Sequence, residues 1–404
     1  MPATAAPFPP THRPLRIGIP IHSLGTGGVE RVALRLASEW ERTGHEVTLI
    51  LGRSEATELC STPPLNFWQL PTRMNTAGWQ TPWMLHCLVR FLKSNRVDLI
   101  FVPGNTYAIV AAALKLLLGE QAPPLVLKVS NALDRPDMPP ATQRGYRVWL
   151  RLQGRLFDRL IGLSEPMARE IRGLTGAAAQ KVCVIANPIL EQRRLRRLAR
   201  IERARPSAWG MRYLAAGRLV PQKNYPLMLR AFARAARPAD SLVIAGEGPG
   251  RGEIEQLIAE LRLGAQVTLV GHVASIDPLM AEADALILSS AYEGLPGVVV
   301  EALAAGLPVL ATDCCVSMAA LLDGGRTGLL VENGDEAAFA RGIESLRSFE
   351  IDPARARAIA AGCAVEGAAA HYIEMMRELA TSRDRHPALR KGRPVQDRPA
   401  ARSR

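Results

Sequence analysis

The sequence predicts an α/β protein of two domains, each built on a doubly wound parallel sheet, facing each other across a cleft. Three observations lead there. Short apolar runs bounded by glycine or proline alternate with stretches of helical periodicity along most of the chain. The order of strand, glycine-rich turn and helix recurs in both halves. The 404 residues suit two domains of about 150 to 200 residues, each large enough for its own core.

In the first half, Leu15 to Ile21 reads as a strand, because a strand covered on both faces is apolar almost throughout. The loop Ser23-Leu24-Gly25-Thr26-Gly27-Gly28 follows, and Val29 to Trp40 shows helical spacing with Glu30 and Arg31 in its first turn. Further strands read at Glu46 to Leu51, Leu65 to Leu70, Asp98 to Val102, Leu125 to Val129, Arg159 to Leu163 and Lys181 to Ala186. Asn187-Pro188 follows the last of these. Glu191 to Arg205 is dense in arginine, with little apolar material outside its leucines, and reads as a solvated connector or helix.

In the second half, a strand ending at Ala215-Ala216 runs into the loop Gly217-Arg218-Leu219-Val220-Pro221-Gln222-Lys223-Asn224 and a helix from Tyr225. Leu242 to Ala245 leads into Gly246-Glu247-Gly248-Pro249-Gly250 and a helix from about Glu253 to Arg262; Gln266 to Gly271 is the next strand, with His272-Val273 at its end. Ala285 to Leu288 is a buried strand, and Val298 to Ala305 a helix behind Gly294-Leu295-Pro296-Gly297. The alternation continues to Leu329-Leu330-Val331.

Chemistry concentrates between Ser290 and Asp313. Glu293 precedes the helix and Glu301 lies inside it, eight positions on. The helical part alone spreads them by roughly 6 Å. Two such carboxylates can hold opposite ends of one ligand, with a diphosphate on the amides between them, where glycines permit close approach. Arg218 and Lys223 add two cations at a strand's C-terminal edge, where open α/β sheets bind ligands. A surface loop acid, an ordinary helix residue and two solvated charges would give the same letters.

Together these motifs resemble the retaining glycosyltransferases of family 4, which have the GT-B fold of two Rossmann-like domains. The resemblance implies that Glu293 contacts the donor sugar near the reacting carbon, that Glu301 binds the nucleotide ribose, and that Arg218 and Lys223 neutralise the donor diphosphate. It assigns donor contacts to Gly217, Gly246, Glu247, His272, Val273, Gly294, Leu295, Pro296 and Gly297, and to Gly27 and Gly28 from the first domain. The family's first-domain histidine is replaced by Pro103-Gly104-Asn105-Thr106, so Asn105, with Asn131 after the next strand, is a cleft candidate. Gly297 stands where the family often has a polar residue, and Thr312-Asp313-Cys314 is similar to members that build cell-surface polysaccharide and lipopolysaccharide. The implied domains are a flexible N-terminus at 1–14, an acceptor-side domain at 15–188, a basic connector at 189–206, a donor domain at 207–350, closing helices returning to the first domain at 351–381, and a disordered basic tail at 382–404. The expected activity is transfer of a sugar, with retention and without a metal or other cofactor, from a UDP- or GDP-linked donor to a saccharide or lipid-linked saccharide. An epimerase of the same fold and a non-catalytic basic adaptor remain as alternatives.

The net charge is +12. No aromatic-basic interleaving or zinc-finger spacing supports nucleic acid as the partner. An anionic membrane surface is the better candidate: arginines at 144, 147, 151, 155 and 159 recur at helical spacing, with Trp149, Leu152, Leu156 and Leu160 on another face. An ordinary sheet-packing helix with a solvated arginine face gives the same pattern, and with its apolar face inward and its arginines outward it permits electrostatic docking without insertion. The longest apolar stretch, Ile109 to Leu118, is interrupted by Lys115 and is short of the roughly 18 residues a membrane span needs. Met1 to Pro14 lacks the apolar core of a signal peptide. The six cysteines show no C-x-x-C spacing, and reduced thiols in a cytoplasm are expected.

Overall fold

The apolar runs become strands of two separate parallel sheets. The computed structural model describes residues 13–24, 28–53, 65–72, 78–131, 133–134, 138–201 and 210–384. In the first domain the strands are β1 (Arg16–Ile21), β2 (Glu46–Leu51), β3 (Asn66–Gln69), β4 (Leu99–Val102), β5 (Leu125–Lys128), β6 (Arg159–Gly162) and β7 (Val182–Val184). They pair in the order β3-β2-β1-β4-β5-β6-β7. The second domain has β8 (Arg212–Ala216), β9 (Ser241–Ala245), β10 (Val267–Gly271), β11 (Ala285–Leu288), β12 (Val309–Thr312) and β13 (Gly328–Val331), ordered β10-β9-β8-β11-β12-β13. The strand order reverses between β1 and β4 in one sheet and between β8 and β11 in the other. Such switch points open a crevice beyond the strands' carboxyl ends.

Helices cover the sheets because β4, β5, β11 and β12 are buried at every residue. Strand ends fall within a residue or two of the sequence expectation. The arginine-rich helix runs Pro140–Leu156, so Arg159 and Leu160 belong to β6 and leave the stripe. Its inward residues are Leu150 and Gln153, while Trp149, Leu152 and Leu156 are half-buried.

The connector takes the helical of its two readings, with one edge buried rather than solvated. Gln192–Ala199 is helical, and its Leu195 and Leu198 enter the core of the second domain. An i, i+3 leucine pair gives a helix one apolar edge whatever its other residues are. Residues 1–12, 202–209 and 385–404 lie outside the described residues, and the final helix, Val365–Asp384, continues past the expected end at Thr381.

That helix packs on the first domain. The chain crosses from one domain to the other at 187–190 and returns at 363–365, and the two crossings pair: Ile189 N–H donates to the Cys363 carbonyl at 3.0 Å, and Val365 N–H to that of Leu190 at 2.9 Å. Past the crossing, the Trp40 indole donates to the Ala369 carbonyl at 3.1 Å, and the Tyr372 ring stands edge-on to Trp40 and Phe101 at centroid distances of 5.9 and 5.3 Å. Such aromatic contacts are worth about 0.5–1.5 kcal/mol each beyond the area they bury.

Candidate active site

The loops after β8 and β11 are stitched together by backbone. The Ser289 hydroxyl lies 2.9 Å from the carbonyls of both Lys223 and Asn224. Ala291 N–H donates to the Gln222 carbonyl at 2.8 Å, and the Gln222 amide to that of Tyr292 at 2.8 Å. Asn224 takes a left-handed conformation, φ 46°, which turns the chain into the helix Tyr225–Ala235. The Tyr225 hydroxyl donates to the Gly217 carbonyl at 3.0 Å, and burial, followed by the nearby Glu293 charge, pushes its phenol up. Gly246, at φ +148°, backs this loop so closely that a Cβ there would stand 1.9 Å from the Gly217 oxygen. Only glycine fits.

This framework brings two of the expected residues into contact. Lys223 Nζ donates to Glu293 Oε1 at 2.6 Å, and the Ser290 hydroxyl donates to the same oxygen at 2.9 Å. Glu293 N–H donates to the Cys314 carbonyl at 2.9 Å, so the chain at Cys314 and Cys315, both buried, adjoins the acid-bearing loop. Arg218 is exposed, and among the described residues its guanidinium has no hydrogen-bond or ion-pair partner. A cation free beside a paired one can turn to an incoming anion.

Glu301 sits in a separate cluster. Arg194 Nη1 donates to Glu301 Oε1 at 2.7 Å, and the same guanidinium reaches Asp277 Oδ1 from Nε and Nη2 at 3.1 and 2.7 Å. Arg197 also bonds Asp277. Burial opposes the Arg194 charge, but Glu301 and Asp277 outweigh it, leaving the guanidinium above its ordinary value. Burial likewise opposes ionised Asp277, and bonds from Arg194 and Arg197 hold its carboxyl below the usual range. Beside them Arg35, from the first domain, donates to the Ile189 carbonyl at 2.6 Å, and desolvation lowers its pKa. Arg35, Arg194 and Arg197 line a cavity of about 360 Å³ with Ile189 and Glu191. Sequence reasoning missed Arg194 and Asp277, because nothing in either neighbourhood announces a partner so distant along the chain.

The first domain approaches from the other side. Gly28 opens the helix Gly28–Arg42 at an exposed position with free space around it. Gly27 lies outside the described residues. Glu30 accepts from the Tyr107 hydroxyl at 3.1 Å, and that oxygen accepts from His22 N–H at 3.2 Å. The Asn105 side chain is turned inward: its Oδ1 accepts from Ser130 N–H at 3.0 Å, so it braces the loop after β5. Asn131 is exposed. Lys128, three residues earlier at the end of β5, is 2% exposed, and desolvation draws its ammonium down to about 8.

The two domains touch at the acid-bearing loop. A Cβ on Gly294 would lie 1.7 Å from the Ser130 carbonyl oxygen, Leu295 packs against cores of both domains, and Gly297 faces Ile189. The hydroxyls of Ser164 and Ser317 meet at 2.7 Å across the same junction. On the rim, Glu247 pairs with Arg251 at 2.9 Å, Val273 is half-buried and His272 is exposed. Pro296 is buried at the start of the helix Gly297–Ala304.

Two parallel-sheet domains facing across a cleft, with switch-point loops converging on it and a final helix returning to the first domain, define the GT-B class. The family model described as glycosyl transferases group 1 matches residues 211–362, and the model for Glycosyltransferase Family 4 matches residues 26–193. The chain belongs to the group 1 glycosyltransferases of the GT-B fold.

Among curated relatives it is 32% identical over 204 residues to an exopolysaccharide phosphotransferase of Streptomyces coelicolor, across 50% of this chain and 21% of that one. It is 35% identical over 133 residues to the N-acetylgalactosamine-N,N'-diacetylbacillosaminyl-diphospho-undecaprenol 4-alpha-N-acetylgalactosaminyltransferase of Campylobacter jejuni, across 33% of this chain and 36% of the relative. The match therefore spans between about a fifth and two-fifths of those relatives' lengths. Anabaena HepE, solved with UDP and glucose, superposes with a TM-score of 0.66 at 20% identity, over 92% of this chain and 99% of that one. No described helix is long and apolar enough to cross a membrane.

Proposed function

We propose that the protein transfers a sugar, with retention of anomeric configuration, from a nucleotide-diphosphate donor to a saccharide or lipid-linked saccharide in cell-surface polysaccharide or lipopolysaccharide synthesis. The observation that carries this reading is the contact of Lys223 with Glu293 at the carboxyl ends of β8 and β11, beside the unpaired Arg218. Two cations there neutralise a departing diphosphate without requiring a metal. Glu293, held by Lys223 and Ser290, stands beside the sugar as positive charge develops at its reacting carbon. A front-face substitution fits this arrangement: the bond from that carbon to the phosphate oxygen breaks, the acceptor oxygen bonds to the carbon from the same side, and the acceptor's proton passes to the departing phosphate.

Glu301 is the ribose contact in this reading, and Arg194 holds its carboxylate until the hydroxyls arrive. The names of the curated relatives support the pathway, and the words diphospho-undecaprenol in one of them support a lipid-linked acceptor. HepE's complex with UDP supports a nucleotide donor, with UDP as the first base to try. A lipid-linked acceptor would also bring the protein to the inner, anionic face of the cytoplasmic membrane.

The test is a donor-hydrolysis screen over UDP- and GDP-linked sugars, with Glu293→Gln as control and calorimetry against UDP and GDP. Turnover by the native protein, lost about 10²- to 10³-fold in Glu293→Gln while nucleotide binding persists, is the expected result. Binding of neither nucleotide, or equal loss of turnover and binding in the variant, overturns it.

A further inference from the structure

The helix Ala108–Leu118 carries no arginine, yet it leaves more large apolar surface in water than its neighbours. Leu116 is 64% exposed, Leu117 62% and Ile109 50%. These residues, with half-buried Ala113, lie along one side of the helix, as the i, i+4, i+7 spacing requires. The opposite side, with Val110, Ala111 and Leu114, is buried in the core. The ridge is therefore an outward apolar face that the domain itself leaves uncovered.

The arginine helix Pro140–Leu156 packs beside it. Arg144, Arg147, Arg151 and Arg155 are all exposed, and among the described residues none has an ion-pair partner. The orientation of this second helix follows from its contacts. A Cβ on Gly154 would strike the Thr175 carbonyl, and the Arg151 guanidinium lies against Gly176, so that flank faces the helix Glu165–Thr175. On the opposite flank of the helix, Leu152 and Trp149 are half-buried. Val148, 69% exposed, stands at the centre of the outward side. Large apolar residues are thus exposed on both of two packed helices, and the second also carries the exposed arginines.

We propose that this two-helix face docks on an anionic lipid bilayer, with Ile109, Leu116, Leu117 and Val148 entering the headgroup boundary and the four arginines meeting lipid phosphates. Charge complementarity selects this occupant. A second copy seated by a two-fold axis would set one arginine row against the other, and a nucleic acid would leave the leucine ridge without a partner. The sequence pattern suggests electrostatic docking alone; the exposed ridge adds insertion, which is the stronger anchor at physiological salt. The inference deepens the membrane reading above and rests on it only for the protein's location.

The test is co-sedimentation of the full chain with vesicles of phosphatidylcholine alone and of phosphatidylcholine and phosphatidylglycerol in equal parts. The expected result is binding to the mixed vesicles, weakened at least tenfold by Leu116→Glu/Leu117→Glu and also by Arg144→Gln/Arg147→Gln/Arg151→Gln, with little binding to phosphatidylcholine. Hydrolysis of a soluble donor should be unchanged in both variants, which shows that they fold and separates this inference from the transferase reading. Equal binding to both vesicle types, or leucine variants that bind as the native chain does, overturns the proposal. So does a dimer in sedimentation velocity that the leucine substitutions dissolve, since the ridge would then be a contact between copies.

Discussion

Lys223 and Glu293, 70 positions apart in sequence, meet at 2.6 Å because the loops after β8 and β11 are laced together by Ser289 and Gln222. Their side chains are 16% and 12% exposed, so each charge depends on the other more than a surface pair would.

Lys223→Met should lower stability by about 2 kcal/mol, because Glu293 is left with a hydroxyl for its nearly buried charge. Turnover should fall about a hundredfold through loss of leaving-group stabilisation. Thermal unfolding and donor hydrolysis measure the two effects. Adding Glu293→Gln should restore stability and leave turnover low; if both recover, the pair holds the loops and takes no part in chemistry.

Gly294→Ala puts a methyl group where the Ser130 carbonyl stands, 1.7 Å away. Neither domain's core contains this contact, so circular dichroism should stay native while the cleft is forced open. Donor turnover should drop at least tenfold, since displacements of about an ångström cost that much or more. A small-angle scattering radius larger than the native one would report the opening. Native turnover in the alanine variant would mean the loop yields without moving the domains.

Glu301→Gln should raise the donor KM about tenfold and leave kcat within threefold, as loss of a contact made equally in ground and transition states does. The variant also releases Arg194 from one of its two carboxylates, while Asp277 keeps the other bond. Steady-state kinetics with the preferred donor decides it. A large fall in kcat at unchanged KM would remove Glu301 from the ribose.

Lys128 gives a pH signature. Its ammonium, drawn to about 8 by burial, holds its proton more tightly in the unfolded chain, whose lysines lie near 10.4. Between those values the unfolded state binds the proton and the folded state does not, so this residue's contribution to stability rises with pH across that window. Below it both states are charged and the full penalty, on the order of 3 kcal/mol, applies. Lys128→Met should therefore be more stable than the native chain at pH 7, and the difference should shrink toward pH 10 in urea unfolding. A constant difference would assign the gain to packing.

Much of this architecture is written in local pattern. A parallel strand covered on both faces is an unbroken apolar run, so β4 and β11 are visible without their neighbours, and glycine turns mark where β8 and β9 end. The pairing of Lys223 with Glu293 follows once both loops sit at adjacent strand ends. What stays hidden is set by contacts distant along the chain. Arg194 is one of many arginines in its segment, and only the fold reveals which of them faces Glu301. The inward turn of Asn105 onto Ser130 is a choice between two side-chain directions that the same four letters allow. Leu116 and Leu117 look like core in a sequence, because hydrophobicity says nothing about which side of a helix lacks a neighbour.

The aromatic cluster of Trp40, Phe101 and Tyr372 bears on synthesis. Two of its members leave the ribosome early, yet the third, and the Ala369 carbonyl that receives the Trp40 indole 329 positions downstream, arrive only with the returning helix. The first domain must therefore wait, with an aromatic surface uncovered, while the whole of the second is translated. Nascent chains halted before residue 365 should be the species that chaperones retain.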